Sequence, residues 1–365
     1  MTTPALGSGD GDEGNASARP CVACISLETW DDVWRRNQYL AHSLRAQRLV
    51  GSVIFVNPPV VGASSRRSSD NLDVITPSLR VPKRLGGLRI LGAELARGVL
   101  RRADVLWIND PSLGVHCLRD GQPAIYDVTD DWRWAEAPYR IWKRIVAAED
   151  NLAARAKTVV CSEVLRERWH LRYGVDPLVV NNGIDAEAWS TAVPRPLRGG
   201  GPHVGYVGTL HDERLDLELI ESLVSRPEIG TVHLVGPNAM PTEATQRLTR
   251  NPKIILEGPV PPKEVPAWTV SFDVVISPHV VSPFTLSLDA IKSYEYLASG
   301  RPVVATPTSG FQYLSSARLV VAQGGDFVDA VVNAIGRPRT MVGVDVVGSW
   351  SDRAREFADA LRWVA

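Results

Sequence analysis

Short runs dominated by Val, Ile and Leu recur along the whole chain, and they constrain its fold more than any other feature. In the first half they are CVACISL (21–27), VIFVNPP (53–59), DVITP (73–77), VLWIND (105–110), AIYDVTDDW (124–132), TVVCSE (158–163) and LVVNNGID (178–185). In the second half they are HVGYVGT (203–209), TVHLVGP (231–237), IILEGPV (254–260), DVVISPH (273–279), PVVATPT (302–308) and LVVA (319–322). Apolar residues at nearly every position, rather than at alternate ones, mark strands buried on both faces, which means parallel sheets covered by helices. The intervening segments 31–48, 140–156, 214–226, 285–299 and 324–336 are long enough for crossover helices. The expected fold class is therefore α/β, with two doubly wound parallel sheets. The stretch 185–203 is rich in Pro and Gly and has no helical period, so it reads as the linker between them.

The 365 residues suit two domains of ordinary size. The division expected is a disordered tail (1–20), a first domain (21–190), a linker (191–202), a second domain (203–342) and a terminal helix (343–365) that packs back across the boundary. With 40 Lys and Arg against 41 Asp and Glu the net charge is −1, which argues against a nucleic-acid partner. No apolar run approaches the roughly 18–20 residues that span a bilayer. The first 20 residues lack the basic and apolar regions of a secretory signal, so a cytoplasmic protein is expected. The segment 79–102 is basic and amphipathic, and reads either as a peripheral membrane contact or as a helix lining an acceptor cleft. Cys21 and Cys24 form a C-x-x-C, but on a strand they point to opposite faces and could not share a metal. The 11 tryptophans are unusual, and Trp30, Trp34, Trp132 and Trp134 cluster in the first half.

No G-x-G-x-x-G follows a strand, and Walker A, H-E-x-x-H and G-x-S-x-G patterns are absent. The informative stretch is 284–306. On a helix starting near Thr285, Leu286, Ala290, Tyr294 and Leu297 share the core face, while Lys292 and Glu295 share the other. Gly300 and Pro302 would end the helix. Amides near Thr285–Leu288, including Ser287, would then offer an anion site such as a diphosphate needs. Glu295, roughly two turns on, could accept hydrogen bonds from sugar hydroxyls. Strand-end carboxylates in YDVTDDW (Asp127, Asp130, Asp131) are candidate catalytic groups, Asp127 and Asp130 foremost; one of Asp130 and Asp131 could instead cap a helix. Arg36 and Gln38, on the helix after the first strand, could bind an acceptor.

SYEYLASGRPVVAT (293–306) resembles the signature of retaining glycosyltransferases with the GT-B fold, particularly family 4. NNGID (181–185), GYVGTLHDERLDLELI (205–220), LVGP (234–237) and NPKIILEGPVPPKEVPAW (251–268) extend the likeness. WDDVWRRNQYLAHSL (30–44), YDVTDDW and VVCSEVLRERW (159–169) resemble bacterial members that build surface polysaccharides. The resemblance implies two Rossmann-like domains, with a nucleoside-diphosphate-sugar donor held mainly by the second and a glycan or lipid-linked acceptor by the first. It also implies retention at the anomeric carbon, with no metal and no cofactor. Glu295 takes the place of the second Glu of the family's E-x7-E motif, which holds the ribose. Ser287 stands where the first Glu would, a departure. The donor-binding set implied is Gly208, Thr209, Arg214, Ser287, Leu288, Lys292 and Glu295, with Arg214 and Lys292 replacing an incomplete basic pair. Two alternatives remain: a non-catalytic GT-B protein that binds nucleotide-sugar or glycan, and a nucleotide-sugar 2-epimerase.

Overall fold

The computed structural model describes residues 19–31, 34–61, 63–79, 96–135, 138–287, 289, 291–340 and 348–364. The first unit holds strands β1 (Cys21–Ile25), β2 (Ser52–Val56), β3 (Val60–Val61), β4 (Ser65–Ser69), β5 (Leu72–Thr76), β6 (Ser78–Leu79), β7 (Val105–Ile108), β8 (Ala124–Val128), β9 (Lys157–Val160) and β10 (Leu178–Val179). Its helices are α1 (Arg36–Ala46), α2 (Pro111–Cys117), α3 (Tyr139–Arg155) and α4 (Glu163–Tyr173), and the short α5 (Ala186–Ser190) follows. The second unit holds β11 (His203–Val207), β12 (Thr231–Val235), β13 (Ile254–Gly258), β14 (Val274–Ser277), β15 (Val303–Ala305) and β16 (Leu319–Val321). Its helices are α6 (Leu217–Val224), α7 (Thr242–Thr249), α8 (Val265–Thr269), α9 (Ile291–Ala298), α10 (Ser309–Gln312) and α11 (Gly324–Ala334), and the chain closes with α12 (Trp350–Val364).

Two sheets result, ordered β10-β9-β8-β7-β1-β2-β5-β4 and β13-β12-β11-β14-β15-β16. All pairings in the second are parallel, as are those in the first except β4 on β5. The apolar runs explain this. Along β1, Val22 and Cys24 pack into one core with Phe55 and Trp107, while Ala23 and Ile25 pack into another with Ile54 and Leu106. Cys21 and Cys24 accordingly lie on opposite faces of the sheet. Helices start where a strand-end polar side chain caps them: Asp110 accepts from the Leu113 amide, Ser162 from Leu165 and Asp216 from Leu219. Glu163 therefore sits in the first turn of α4, and Ser162 is the cap.

The helix α12 lies on the first sheet, although it follows the second in sequence. Trp350, Phe357 and Leu361 join the core that contains Leu40 and Trp107, and the Trp350 ring stacks on Tyr39 at 4.9 Å. Three local readings of the sequence need correction. The polar edge strand β4 has no apolar pattern, and its signal is the Asp70-Asn71 turn, where both residues have positive φ, as a tight hairpin requires. The stretch 185–203 includes α5, which buries Trp189. The helix placed from 285 begins only at Ile291. Of the basic segment 79–102, residues 80–95 lie outside the described residues, as does most of the tail 1–20.

Candidate active site between the two sheets

Each sheet reverses its strand order at a central strand, between β1 and β7 in the first and between β11 and β14 in the second. Ligands of doubly wound sheets bind at such points, outside the carboxyl ends of the strands. Here the two points face one another across a cleft of about 670 Å³. Glu28, Asn109 and Asp130, after β1, β7 and β8, line one wall; Gly208, Gly236 and His279, after β11, β12 and β14, line the other.

The second wall is cationic. A Cβ on Gly208 would lie 2.1 Å from Lys292 Cε, and one on Gly236 would lie 2.2 Å from the Gly208 carbonyl oxygen. The two glycine loops therefore nest, and Lys292 folds over them with Nζ 5.8 Å from the centre of the Tyr206 ring. Arg214 lies 5.5 Å over the Phe284 ring. Thr209 lines the cleft beside them. No salt bridge involves Lys292 or Arg214 among the described residues. His279 bonds Ser277 Oγ and Tyr206 OH, and burial with both cations nearby pushes its pKa down to about 3, so it stays neutral. Burial raises the pKa of Glu295, and the Lys292 charge partly offsets the rise. Val235, Pro237, Pro259, Val260 and Pro262 close one end of the cleft with apolar surface.

The first wall is built from internally satisfied polar groups. Arg36 donates to both carboxylate oxygens of Asp127 (3.0 and 3.1 Å), and also to the Asn181 carbonyl and Asn182 Oδ1. Trp107 Nε1 donates to the same carboxylate, which is wholly buried and does not line the cleft. Asp127 is thus an anchor for Arg36 rather than a group that meets substrate, and that expectation is corrected. Gln38 is corrected too: it is fully buried, accepting from the Arg35 amide and donating to the Thr29 carbonyl. Asp131 caps no helix; it is buried against Arg168 (2.9 Å) and Arg172 (3.5 Å). Asp130 does line the cleft, with Oδ2 accepting from Thr129 Oγ1, and burial raises its pKa. Arg36 also reaches the cleft.

Between the walls runs the segment 283–289, of which residues 283–287 form a turn and not the start of a helix. The first unit clamps it. Ser162 Oγ donates to the Ser287 carbonyl at 2.7 Å, Arg168 to the Pro283 carbonyl, and Asn182 Nδ2 to the Asp289 carbonyl at 2.6 Å. Ser287 is fully buried, its hydroxyl spent on the Phe284 carbonyl, and it does not line the cleft. Leu288 lies outside the described residues. Asp289 lines the cleft instead. Burial pushes its pKa up to about 6, against hydrogen bonds from the Asn182 amide and Tyr294 OH.

A family model described as Glycosyl transferases group 1 matches residues 201–337. The chain has the GT-B fold, and its second unit is similar to the group 1 glycosyl transferases. Bacillus subtilis TuaH, named as a teichuronic acid biosynthesis glycosyltransferase, is 32% identical over 224 residues, which is 55% of each chain. The present chain thus spans about half the length of that relative. Anabaena HepE, solved with UDP and glucose, has a TM-score of 0.67 at 13% identity and covers 94% of this chain and 99% of its own. Sucrose-phosphate synthase of Thermosynechococcus elongatus has a TM-score of 0.64 at 16% identity, covering 95% of each chain. These two likenesses establish the two-sheet fold across nearly the whole length.

Beside Asp289, the family motifs also gave no hint of Glu28. It follows β1 in the cleft, paired with Arg35 at 3.3 Å. Burial pushes its pKa up to about 7; Arg35 opposes the rise, and Asp130 and Asp31 add to it. A carboxylate three residues past a central buried strand of a doubly wound sheet is the signal that could have found it.

Proposed function

We propose that this chain transfers a sugar from a nucleoside-diphosphate-sugar to a hydroxyl of a glycan or lipid-linked acceptor, with retention at the anomeric carbon. The observation that carries the reading is the pair of cations, Lys292 and Arg214, facing the cleft with no carboxylate in ion-pair contact among the described residues. Cations left uncompensated beside two nested glycine loops suit a diphosphate, whose oxygens can approach the backbone closely. Glu295 stands one helical turn from Lys292 to accept from ribose hydroxyls, and the apolar end of the cleft receives the base. HepE, solved with UDP-glucose, and TuaH, named as a glycosyltransferase, support a nucleotide-sugar donor.

In the reaction the bond from the anomeric carbon to the diphosphate breaks, a bond to the acceptor oxygen forms, and the acceptor's hydroxyl proton passes to the departing diphosphate. Charge gathers on the leaving diphosphate, where Lys292 and Arg214 stabilise it more than in the ground state. Asp130, on the opposite wall, steadies positive charge at the anomeric carbon and orients the acceptor hydroxyl. Arg36, held rigid by Asp127, and Asp289 line the sugar-side floor. No metal or cofactor is part of this proposal, and cell-surface polysaccharide assembly is the context we assign to it. The test is a thermal-shift panel of nucleoside diphosphates and nucleotide-sugars, since a ligand of the folded state raises its melting temperature. One nucleotide series should shift the wild type and fail to shift Lys292→Ala; no shift from any member overturns the reading.

A further inference from the structure

The beginning of α3 is built in a way that neither its own stability nor the cleft explains. Tyr139 is 70% exposed, Ile141 48%, and Trp134, in the preceding loop, 54%. The Tyr139 ring stacks on Trp142 at 6.2 Å, and Trp142 Nε1 donates to the Arg133 carbonyl, so the rings are held in place rather than loose. Packing against the body begins only at Ile145 and Val146; Tyr139, Arg140, Ile141, Lys143 and Arg144 are all exposed. The first turns of the helix therefore project from the molecule. Arg140, Lys143 and Arg144 form no salt bridge among the described residues, and between 132 and 148 the sequence offers a single acid, Glu136.

Both features are unfavourable in water. Cations at a helix N-terminus oppose its dipole, where acidic residues are the stabilising choice. Exposed Trp, Tyr and Ile keep apolar surface hydrated. An anionic lipid interface reverses both signs, because aromatic rings partition into the headgroup region and cations pair with lipid phosphates. We propose that Trp134 and the first two turns of α3 dock this protein on an anionic lipid surface. Trp134 lies four residues beyond Asp130, so docking here would bring the first wall of the cleft to the membrane, where a lipid-linked acceptor resides. The docking itself does not depend on that acceptor.

The experiment is flotation of the full chain with vesicles of phosphatidylcholine alone or with one quarter phosphatidylglycerol. The wild type should float with the mixed vesicles, should stay behind with phosphatidylcholine alone, and should be released by salt. Trp134→Ser/Tyr139→Ser/Ile141→Ser should bind at least 10-fold more weakly, with an unchanged melting temperature. Arg140→Gln/Lys143→Gln/Arg144→Gln should lose the salt-sensitive part. Absence of wild-type binding overturns the proposal, and so does full binding by both variants, which would assign the contact to another segment such as 79–102. Nucleotide-induced thermal shift, measured on the same proteins, reports the donor site separately and should be equal in all three.

Discussion

The two walls of the cleft carry charge in opposite ways. In the first, the charges are spent on one another: Arg36 with Asp127, and Asp131 with Arg168 and Arg172. In the second, Lys292 and Arg214 are packed against aromatic rings, and neither is in ion-pair contact with a carboxylate among the described residues. A paired charge on a buried wall holds shape, and an unpaired one waits for a ligand. That difference separates residues whose loss costs folding from residues whose loss costs binding.

The sharpest way to break the distinction is at Asp127. Removing one partner of a buried pair strands the other, at a cost of about 3–5 kcal/mol. Asp127→Ala should therefore lower stability by that amount in urea unfolding, whereas Asp130→Asn should leave stability nearly unchanged and abolish most transfer. Equal stability of the two variants would erase the contrast between anchor and facing carboxylate. Next in size is Lys292→Ala. A hydrogen bond to a charged group contributes about 1.5–3 kcal/mol, so affinity for a nucleoside diphosphate should fall roughly 10- to 100-fold by calorimetry. Affinity for the bare nucleoside should hardly move. A parallel loss for both ligands would place Lys292 outside the diphosphate subsite.

How far the sequence disclosed this follows the same division. The doubly wound sheets were legible because burial on both faces writes an uninterrupted apolar run, as in β1 and β11, while the polar hairpin strand β4 wrote none. On the second wall Gly208, Thr209, Arg214, Lys292 and Glu295 all reach the cleft, since they lie in loops and a helix whose local geometry the chain itself sets. On the first wall Asp127 and Gln38 were misread, because a long-range partner decides whether a polar side chain turns inward. Ser287 was misplaced, and Asp289 went unnoticed, for a related reason. The turn 283–287, and Asp289 beyond it, are held by Ser162, Arg168 and Asn182, more than 100 residues earlier in sequence, and helical periodicity knows nothing of them.

Behind the first wall, Glu149 offers a smaller effect. It is buried, with one oxygen accepting from Tyr126 OH and the other without a hydrogen-bond partner among the described residues, and burial pushes its pKa up to about 8. A carboxyl raised in the folded state binds its proton more tightly there than when unfolded. Its contribution is full below the ordinary carboxylate range and is lost as pH rises toward and through 8. The wild-type melting temperature should accordingly decline between about pH 5 and 8, and Glu149→Gln should flatten the decline. If the substituted protein loses stability over that range as steeply as the wild type, another group sets the dependence.

The smallest effect lies at Glu28, where the two walls interact. Its carboxyl is pushed up to about 7, so it is largely neutral below that pH and charged above it. Charging it adds a negative group to the wall opposite the cationic one, within the cleft proposed to receive the diphosphate. Like charges across a partly screened gap repel modestly, so donor affinity should weaken a few-fold as pH rises through 7. A nucleotide-sugar is the proper probe, because both its phosphates are esterified and carry fixed charge over this range. Glu28→Gln should bind the donor with an affinity that no longer changes between about pH 6 and 8, equal to that of the wild type at the acid end. A Gln variant that keeps the wild-type profile would show that Glu28 does not communicate with the diphosphate. The titration would then have to be sought at Asp289, whose carboxyl is pushed up to about 6 and whose step would fall at lower pH.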